Sequence, residues 1–180
     1  MVNPFFKNNG PFKFNEILKD LNLKLDEKKE DLIITDIKDL QNSKINEITF
    51  FHSKKYQLAA NNTKASFCIT SQNLIKDLPS SCKPIIVDNV LVSTSIITAK
   101  FYPDSINDNF DITVEEINNT KFNDTVKFGK NVLIGQNVSI GSNCRIGHNT
   151  IIEKNVFIGD NCFIGSNTII RNSLIKNNVK

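Results

Sequence analysis

Over the last third of the chain, bulky apolar residues recur at every sixth position, and small or β-branched residues follow four places behind each. The first series runs Phe122, Phe128, Ile134, Ile140, Ile146, Ile152, Ile158 and Ile164, with Ile170 opening a further hexad. The second runs Val126, Val132, Val138, Cys144, Thr150, Val156, Cys162 and Thr168. A period of six is too short for a helix pair or a propeller blade, but it suits a triangular coil in which each hexad supplies one short strand and one corner. Three hexads close a turn, strands of successive coils pair about 4.8 Å apart, and the large residue fills the prism. Burying each large aliphatic contributes roughly 1.5–3 kcal/mol, so the array carries its own driving force. Glycine recurs at the second place (Gly129, Gly135, Gly141, Gly147, Gly159, Gly165), and asparagine at the fourth, from Asn131 through Asn167. Both read as corner residues that accept left-handed or otherwise unusual backbone angles. The uniform spacing excludes a G-x-G-x-x-G or P-loop phosphate cradle. The pattern predicts a left-handed parallel β-helix of hexapeptide repeats over residues 122–180. Ile175 and Val179 restart the rhythm one residue early and no capping element follows, so the β-helix is expected to be truncated and the chain an N-terminal fragment.

Upstream the periodicity changes and predicts a mixed α/β domain. Phe14, Ile17, Leu18 and Leu21 lie on one helical face, 32–35 and 48–51 read as strands, and 54–60 suits a helix. Residues 66–70 and 84–87 read as two more strands with a short helix after Ser71. A longer helix carries Val90, Thr94, Ile97 and Phe101, entered through Asp88 or Asn89 and stopped by Pro103. The Asp/Asn-rich stretch that follows reads as a connector. The expected organisation is an α/β domain over 1–103, a connector over 104–121 and the β-helix over 122–180.

Composition narrows the function classes. Hydrophobic residues make up 39% and charged residues 23%, which suits a folded globular chain. The net charge of +3 comes from 22 basic and 19 acidic residues scattered along the chain, so no basic stripe points to nucleic acid. The four cysteines (Cys68, Cys82, Cys144, Cys162) form no C-x-x-C pair and follow no secretory signal, which predicts free thiols in the cytoplasm. No run of about 18 apolar residues occurs, so membrane contact is peripheral at most. Cys144 and Cys162 share the fifth hexad place and read as packing residues. The only histidines are His52 and His148, too few for a three-histidine zinc site, and neither a metal nor a cofactor is expected.

The opening FFKNNGPF (Phe5–Phe12), the segment ITFFHSKKY (Ile48–Tyr56), the run ASFCIT, the KFYP ending at Pro103 and the hexads that follow resemble the UDP-3-O-acylglucosamine N-acyltransferases of lipid A biosynthesis. The resemblance implies an enzyme that moves a 3-hydroxyacyl group from acyl carrier protein to the amine of UDP-3-O-acylglucosamine. It also implies a homotrimer in the complete protein, with active sites between neighbouring prisms, in the cytoplasm or at the inner face of the inner membrane. The family holds uridine with two aromatic side chains and an asparagine between them, positions that fall here on Phe50, Ser53 and Tyr56, with serine where asparagine is commoner. From the residues alone, Ser53 also reads as a helix N-cap, Phe50 as a core residue, and His52 as an exposed side chain on the strand face opposite Phe51. The family's general base is a histidine of a later coil, expected beyond Lys180, so no catalytic residue is assigned and the chain alone is expected to be inactive. His148, in IGHN, has three readings: a solvated corner, a residue at the trimer interface, or the base itself. Alternatives for the whole chain are a non-catalytic nucleotide-sugar-binding or scaffold protein with a short β-helix, and a hexapeptide acyltransferase that uses a CoA donor.

Overall fold

The structure is a computed structural model that describes residues 5–25, 32–106, 109–117 and 121–180. Its contacts divide the chain into one unit of Phe6–Asn107 and another of Asp108–Lys180 with Met1–Phe5.

The first unit begins with β1 (Phe12–Lys13), α1 (Phe14–Asp20) and β2 (Ile33–Ile34), with β1 and β2 antiparallel. A four-stranded parallel sheet follows, in the order β3 (Asp36–Ile37), β4 (Glu47–Phe51), β5 (Phe67–Thr70) and β6 (Lys83–Ile86). Side chains alternate across it, as the pleat requires. Ile48, Phe50, Phe67, Ile69 and Ile85 join the cluster of Phe14, Ile17, Ile97 and Phe101. Phe51 and Cys68 turn the other way and pack with Leu40, Ala60, Leu74 and Cys82. Apolar cover on both faces is the usual condition of a parallel sheet.

The expected helix over 54–60 is two pieces, a 3-10 turn Lys54–Tyr56 and then α2 (Gln57–Asn61). The short helix after Ser71 is likewise a 3-10 segment, Gln72–Asp77. α3 (Val90–Phe101) starts where Val92 N donates to Asn89 Oδ1 at 3.1 Å, which selects Asn89 over Asp88 as its cap. Sequence periodicity missed β1 and β3, each only two residues long, and with them a buried polar cluster. Tyr102 OH donates to Asp36 Oδ1 at 2.6 Å, and Lys38 Nζ lies 2.5 Å from Asp36 Oδ2. Burial alone would depress the Lys38 pKa, but the hydrogen bond and charge of Asp36 outweigh it and hold the ammonium above its ordinary value. Burial, seconded by Asp36, pushes the Tyr102 phenol up.

In the second unit β7 (Glu115–Glu116) precedes nine two-residue strands. These are β8 (Lys127–Phe128), β9 (Leu133–Ile134), β10 (Ser139–Ile140), β11 (Arg145–Ile146), β12 (Ile151–Ile152), β13 (Phe157–Ile158), β14 (Phe163–Ile164), β15 (Ile169–Ile170) and β16 (Leu174–Ile175). They stack in three parallel columns, β8-β11-β14, β9-β12-β15 and β10-β13-β16. Ile146 pairs with Ile164, and Ile152 with Ile170, one coil of three hexads apart. The expected left-handed parallel β-helix behind an α/β unit is the observed fold class. The early restart is visible as a shortened corner: Ile158 pairs with Ile175, one residue short of a full coil, and Asn172 takes the left-handed conformation between them.

One expectation is corrected. The asparagines of the fourth place, from Asn131 (φ 55°) to Asn167 (φ 59°), are left-handed, but no described glycine is. The glycines are there for space: a Cβ on Gly129 would stand 2.6 Å from His148 N and 2.8 Å from Gly147 C in the coil stacked on it. The two residue types thus share the corner for different reasons, asparagine for backbone angle and glycine for close approach.

The described part of the expected connector is also held on the coils. β7 adds to β9 antiparallel, and Asp111 is buried with Oδ2 accepting from Lys154 N at 2.6 Å and Oδ1 accepting from Thr113 N at 2.9 Å. Thr113 Oγ1 in turn accepts from Gln136 N at 3.0 Å. Burial works to raise the Asp111 pKa, but the hydrogen bonds from Thr113 and Lys154 outweigh it and hold the carboxylate below its usual range.

Two tests follow from these contacts. Gly129→Ala should destabilise the 180-residue chain by about 1–3 kcal/mol, as overpacking does. Gly165→Ala, whose Cβ would meet nothing nearer than Thr168 Oγ1 at 3.9 Å, should leave the melting temperature nearly unchanged, so equal effects would refute the spacing role. A depressed carboxylate stabilises the fold above its unfolded pKa and loses that contribution as pH falls through the folded value. The melting-temperature gap between wild type and Asp111→Asn should therefore be widest near about pH 7 and shrink toward about pH 3.

Candidate functional site

The segment matched to a uridine site leaves the carboxyl end of β4, the side of an open parallel sheet where ligands ordinarily bind. Its path is fixed at both ends. Thr70 Oγ1 donates to Phe51 O at 2.8 Å, and Gln57 Nε2 donates to Asp77 Oδ1 at 2.8 Å. Between them Ser53, in extended conformation, caps the 3-10 turn by accepting from Lys55 N at 3.4 Å. The capping reading of Ser53 is therefore realised, and its oxygen faces the turn.

Phe50 is half-buried against the first core cluster, and Tyr56 is 42% exposed. Tyr56 borders a concavity of about 480 Å³ with Gln41, Lys55, Leu58, Ala59 and Asn62. Lys55 Nζ lies 5.8 Å from the Tyr56 ring centre, close enough for a cation–π contact. Phe50 and Ser53 do not line that concavity; the capped turn connects them in sequence to Tyr56, which does, with the exposed Lys55 ammonium beside it. A planar, anion-bearing ligand would find here aromatic faces and positive charge.

His52, expected on the strand face opposite Phe51 and exposed, is exposed. The same alternation puts it on the side of Phe50. The imidazole centroid lies 6.5 Å from that of Phe50 with the planes at 21°, and 5.4 Å from that of Tyr56 at 50°. The i, i+2 spacing was the signal available in the sequence.

His148 is an exposed corner residue of the β-helix. Its Nδ1 accepts from Lys130 N at 2.8 Å, and its own N–H donates to Ser166 Oγ at 3.0 Å. A neutral imidazole has one acceptor nitrogen, so with Nδ1 engaged the other nitrogen carries the proton. In this arrangement no lone pair remains to take a proton from a substrate. Cys144 and Cys162 are buried, and their thiols donate to Gly159 O and Lys176 O, each at 3.1 Å. Burial pushes the Cys144 thiol up, away from nucleophilic reactivity. Among the described residues no group of three or more His, Cys, Asp or Glu side chains is placed to hold a metal ion, and no helix is long and apolar enough to cross a membrane.

Residues 31–99, which contain the whole Phe50–Tyr56 segment, match the family described as UDP-3-O-(3-hydroxymyristoyl) glucosamine N-acyltransferase, LpxD. Residues 125–159 and 137–172 match the bacterial transferase hexapeptide of six repeats. Both parts of the family resemblance hold. Among named relatives, UDP-3-O-acylglucosamine N-acyltransferase 2 of Legionella pneumophila (strain Paris) is 31% identical over 107 residues, 59% of this chain and 31% of its own length. UDP-3-O-acylglucosamine N-acyltransferase of Rickettsia prowazekii (strain Madrid E) is 33% identical over 100 residues, 54% of this chain and 29% of its own. The enzyme of that name from Rickettsia akari (strain Hartford) is 39% identical over 71 residues, 38% of this chain and 20% of its own. The match therefore spans about a third or less of each relative's length.

The corner geometry of His148 has its own check. In His148→Ala the Lys130 amide resonance should shift and its hydrogen exchange quicken, while stability falls by no more than about 1 kcal/mol, because water replaces an exposed acceptor. An unmoved Lys130 amide would show that the imidazole does not hold it.

Proposed function

We propose that this chain takes part in the N-acylation of UDP-3-O-acylglucosamine, with the 6–107 unit binding the uridine moiety through Phe50, Tyr56 and Ser53. The observation that carries this reading is the pair of aromatic side chains, Phe50 and Tyr56, set at the carboxyl end of a parallel sheet inside the residues that match the family. A flat uracil gains contact area from such faces at little conformational cost, and the ammonium of Lys55 suits a nearby diphosphate. Ser53 has a hydroxyl where the family more often has an amide, and that hydroxyl already caps the turn, so shape and stacking carry more of the recognition than edge hydrogen bonds.

In the same reading the acyl group arrives as a 3-hydroxyacyl thioester on acyl carrier protein. The sugar amine attacks the thioester carbonyl, the thiol leaves, and a base takes the amine proton. His148, with its acceptor nitrogen engaged, is not assigned that role. Homotrimer formation is part of the proposal, supported by large apolar side chains that point outward from the coils: Phe163 (48% exposed), Ile169 (67%) and Leu174 (63%). A cytoplasmic setting, at most peripheral to the membrane, fits four cysteines that are buried and unpaired.

The test is a titration of the 180-residue chain with UDP-N-acetylglucosamine, followed by NMR of the Tyr56 ring. Tyr56 signals should move at millimolar ligand or below, and Tyr56→Ala should weaken binding about tenfold, within the range of one lost stacking face. No response at millimolar ligand, or unchanged binding in Tyr56→Ala, would overturn the site.

A further inference from the structure

The first unit holds a pair of thiols that the uridine reading does not use. Cys68 lies on β5 and Cys82 in the turn that enters β6, and both are buried in the cluster of Leu40, Phe51, Ala60 and Leu74. The strand register brings them together, because Cys68 stands opposite Pro84, two places from Cys82, and period-two alternation turns both side chains to one face. The Cys68 thiol donates to the Cys82 sulfur; its other acceptor among the described residues, Ile69 O, is a long 3.6 Å away.

A third group marks the same place. Thr49 is fully buried, and its Oγ1 is the one buried side-chain oxygen or nitrogen among the described residues without a hydrogen-bond partner. It stands opposite Cys68 in the β4–β5 register and shares the strand face of Phe51, so the hydroxyl is turned into the cluster that holds the thiols. An orphaned buried hydroxyl is costly, and this one gains an acceptor when the neighbouring sulfur becomes anionic.

The two sulfurs are not equivalent. The hydrogen bond from Cys68 holds the Cys82 thiol below its ordinary value against the opposing effect of burial, whereas that bond and burial together push the Cys68 thiol up. Cys82 is also the one nearer solvent along the chain: exposed Ser80 and Ser81 precede it, exposed Lys83 follows, and its N–H closes the turn on Pro79 O at 2.9 Å. Opening of that turn admits a small oxidant.

We infer that Cys68 and Cys82 are a peroxide-oxidisable dithiol, in which Cys82 is attacked first, Cys68 closes the disulfide, and Thr49 Oγ1 donates to the Cys68 sulfur as it loses its proton. The Cys82 thiolate attacks one oxygen of hydrogen peroxide, the O–O bond breaks, and the departing hydroxide takes up the proton Cys82 had released, leaving a sulfenic acid. The Cys68 sulfur then displaces the hydroxyl of that sulfenic acid, which leaves with the Cys68 proton as water while the S–S bond forms. The thiols lose two electrons and the peroxide becomes two waters. Sulfurs already in hydrogen-bond contact have little distance to close to the about 2.0 Å of a disulfide. The bridge ties β5 to the entry of β6 within the cluster that also packs Ala59 and Ala60 of α2.

The experiment treats the folded 180-residue chain with hydrogen peroxide, unfolds it, alkylates the remaining thiols and maps the peptides by mass spectrometry. Wild type should yield a linked Cys68–Cys82 peptide pair that dithiothreitol reverses, formed about tenfold faster than Cys144 or Cys162, whose thiols donate to Gly159 O and Lys176 O, is modified. In Cys68→Ser, dimedone should trap Cys82 as the sulfenic acid, and in Cys82→Ser the Cys68 thiol should remain open to alkylation. Thr49→Val, which keeps the shape and removes the hydroxyl, should slow bridging about fivefold. No linkage in wild type, or linkage of Cys144 to Cys162 in its place, overturns the dithiol, and this map decides the matter even where a core variant does not fold. Equal bridging rates in wild type and Thr49→Val overturn the part given to the hydroxyl.

Discussion

The β-helix depends on how closely one coil lies on the next. Strand pairing sets the separation at about 4.8 Å, and the corners must follow at the same spacing. At that distance a corner N–H lies against the coil above, within reach of an acceptor on it. The third hexad place supplies it: His148 Nδ1 accepts from Lys130 N, Ser166 Oγ from His148 N, Asp160 Oδ1 from Ser142 N, and Asn177 Oδ1 from Asp160 N. Where that place holds lysine, which has no acceptor, help comes from elsewhere in the chain. Lys154 leaves Gln136 N to Thr113 Oγ1, which accepts at 3.0 Å, and Lys154 N itself is met by Asp111 across 43 positions of sequence. Asparagine side chains stack up the same corners, Asn131 to Asn149 at 3.0 Å and Asn149 to Asn167 at 3.2 Å. Spacing, glycine, asparagine and the borrowed carboxylate are consequences of one distance.

The first unit meets a different constraint. A parallel sheet covered on both faces leaves its strand ends as the places where side chains can reach solvent from a rigid base. β4 is such a strand. Phe51 and Ile48 are fully buried on opposite faces, so the residues just after the strand are held by packing they do not themselves provide. The Thr70 and Gln57 hydrogen bonds then fix the direction of the turn. Aromatic groups carried there lose little conformational entropy on binding, because the backbone that bears them is already ordered.

How much of this was legible in the sequence follows from the range of each interaction. The hexad rhythm, the alternation in β4 and the cap of α3 depend on residues within a few positions, and the sequence displays them directly. The spacing role of Gly129 was not legible, because the atoms that exclude a Cβ belong to a coil 18 residues away, and a glycine chosen for space looks the same as one chosen for angle. Nor was the contact of Asp36 with Tyr102, which joins positions 66 apart, or the support of Asp111 for a corner it does not adjoin. Within the candidate site, Phe50, Ser53 and Tyr56 came from resemblance and the cap of Ser53 from local pattern. The exposure of His52, on the strand face opposite the buried Phe51, followed from period-two alternation.

The two histidines show why residue type alone does not locate chemistry. His148 sits in a stretch that looks like a catalytic motif, and His52 sits in one that looks like the end of a strand. What decides their roles is what each ring has left to offer once the fold has taken its share. A proton acceptor needs a free lone pair, and the coil has engaged the Nδ1 pair of His148 to satisfy a corner amide. His52 is exposed, lies 6.5 Å from the Phe50 ring and 5.4 Å from the Tyr56 ring, and makes no hydrogen bond among the described residues. The same residue type is therefore a structural acceptor in the repeat and an exposed ring at the sheet end. The difference comes from backbone hydrogen bonding: a repeat stacked at strand spacing uses its polar side chains on itself, whereas a strand that ends in a capped turn has satisfied its backbone and leaves its side chains to a ligand.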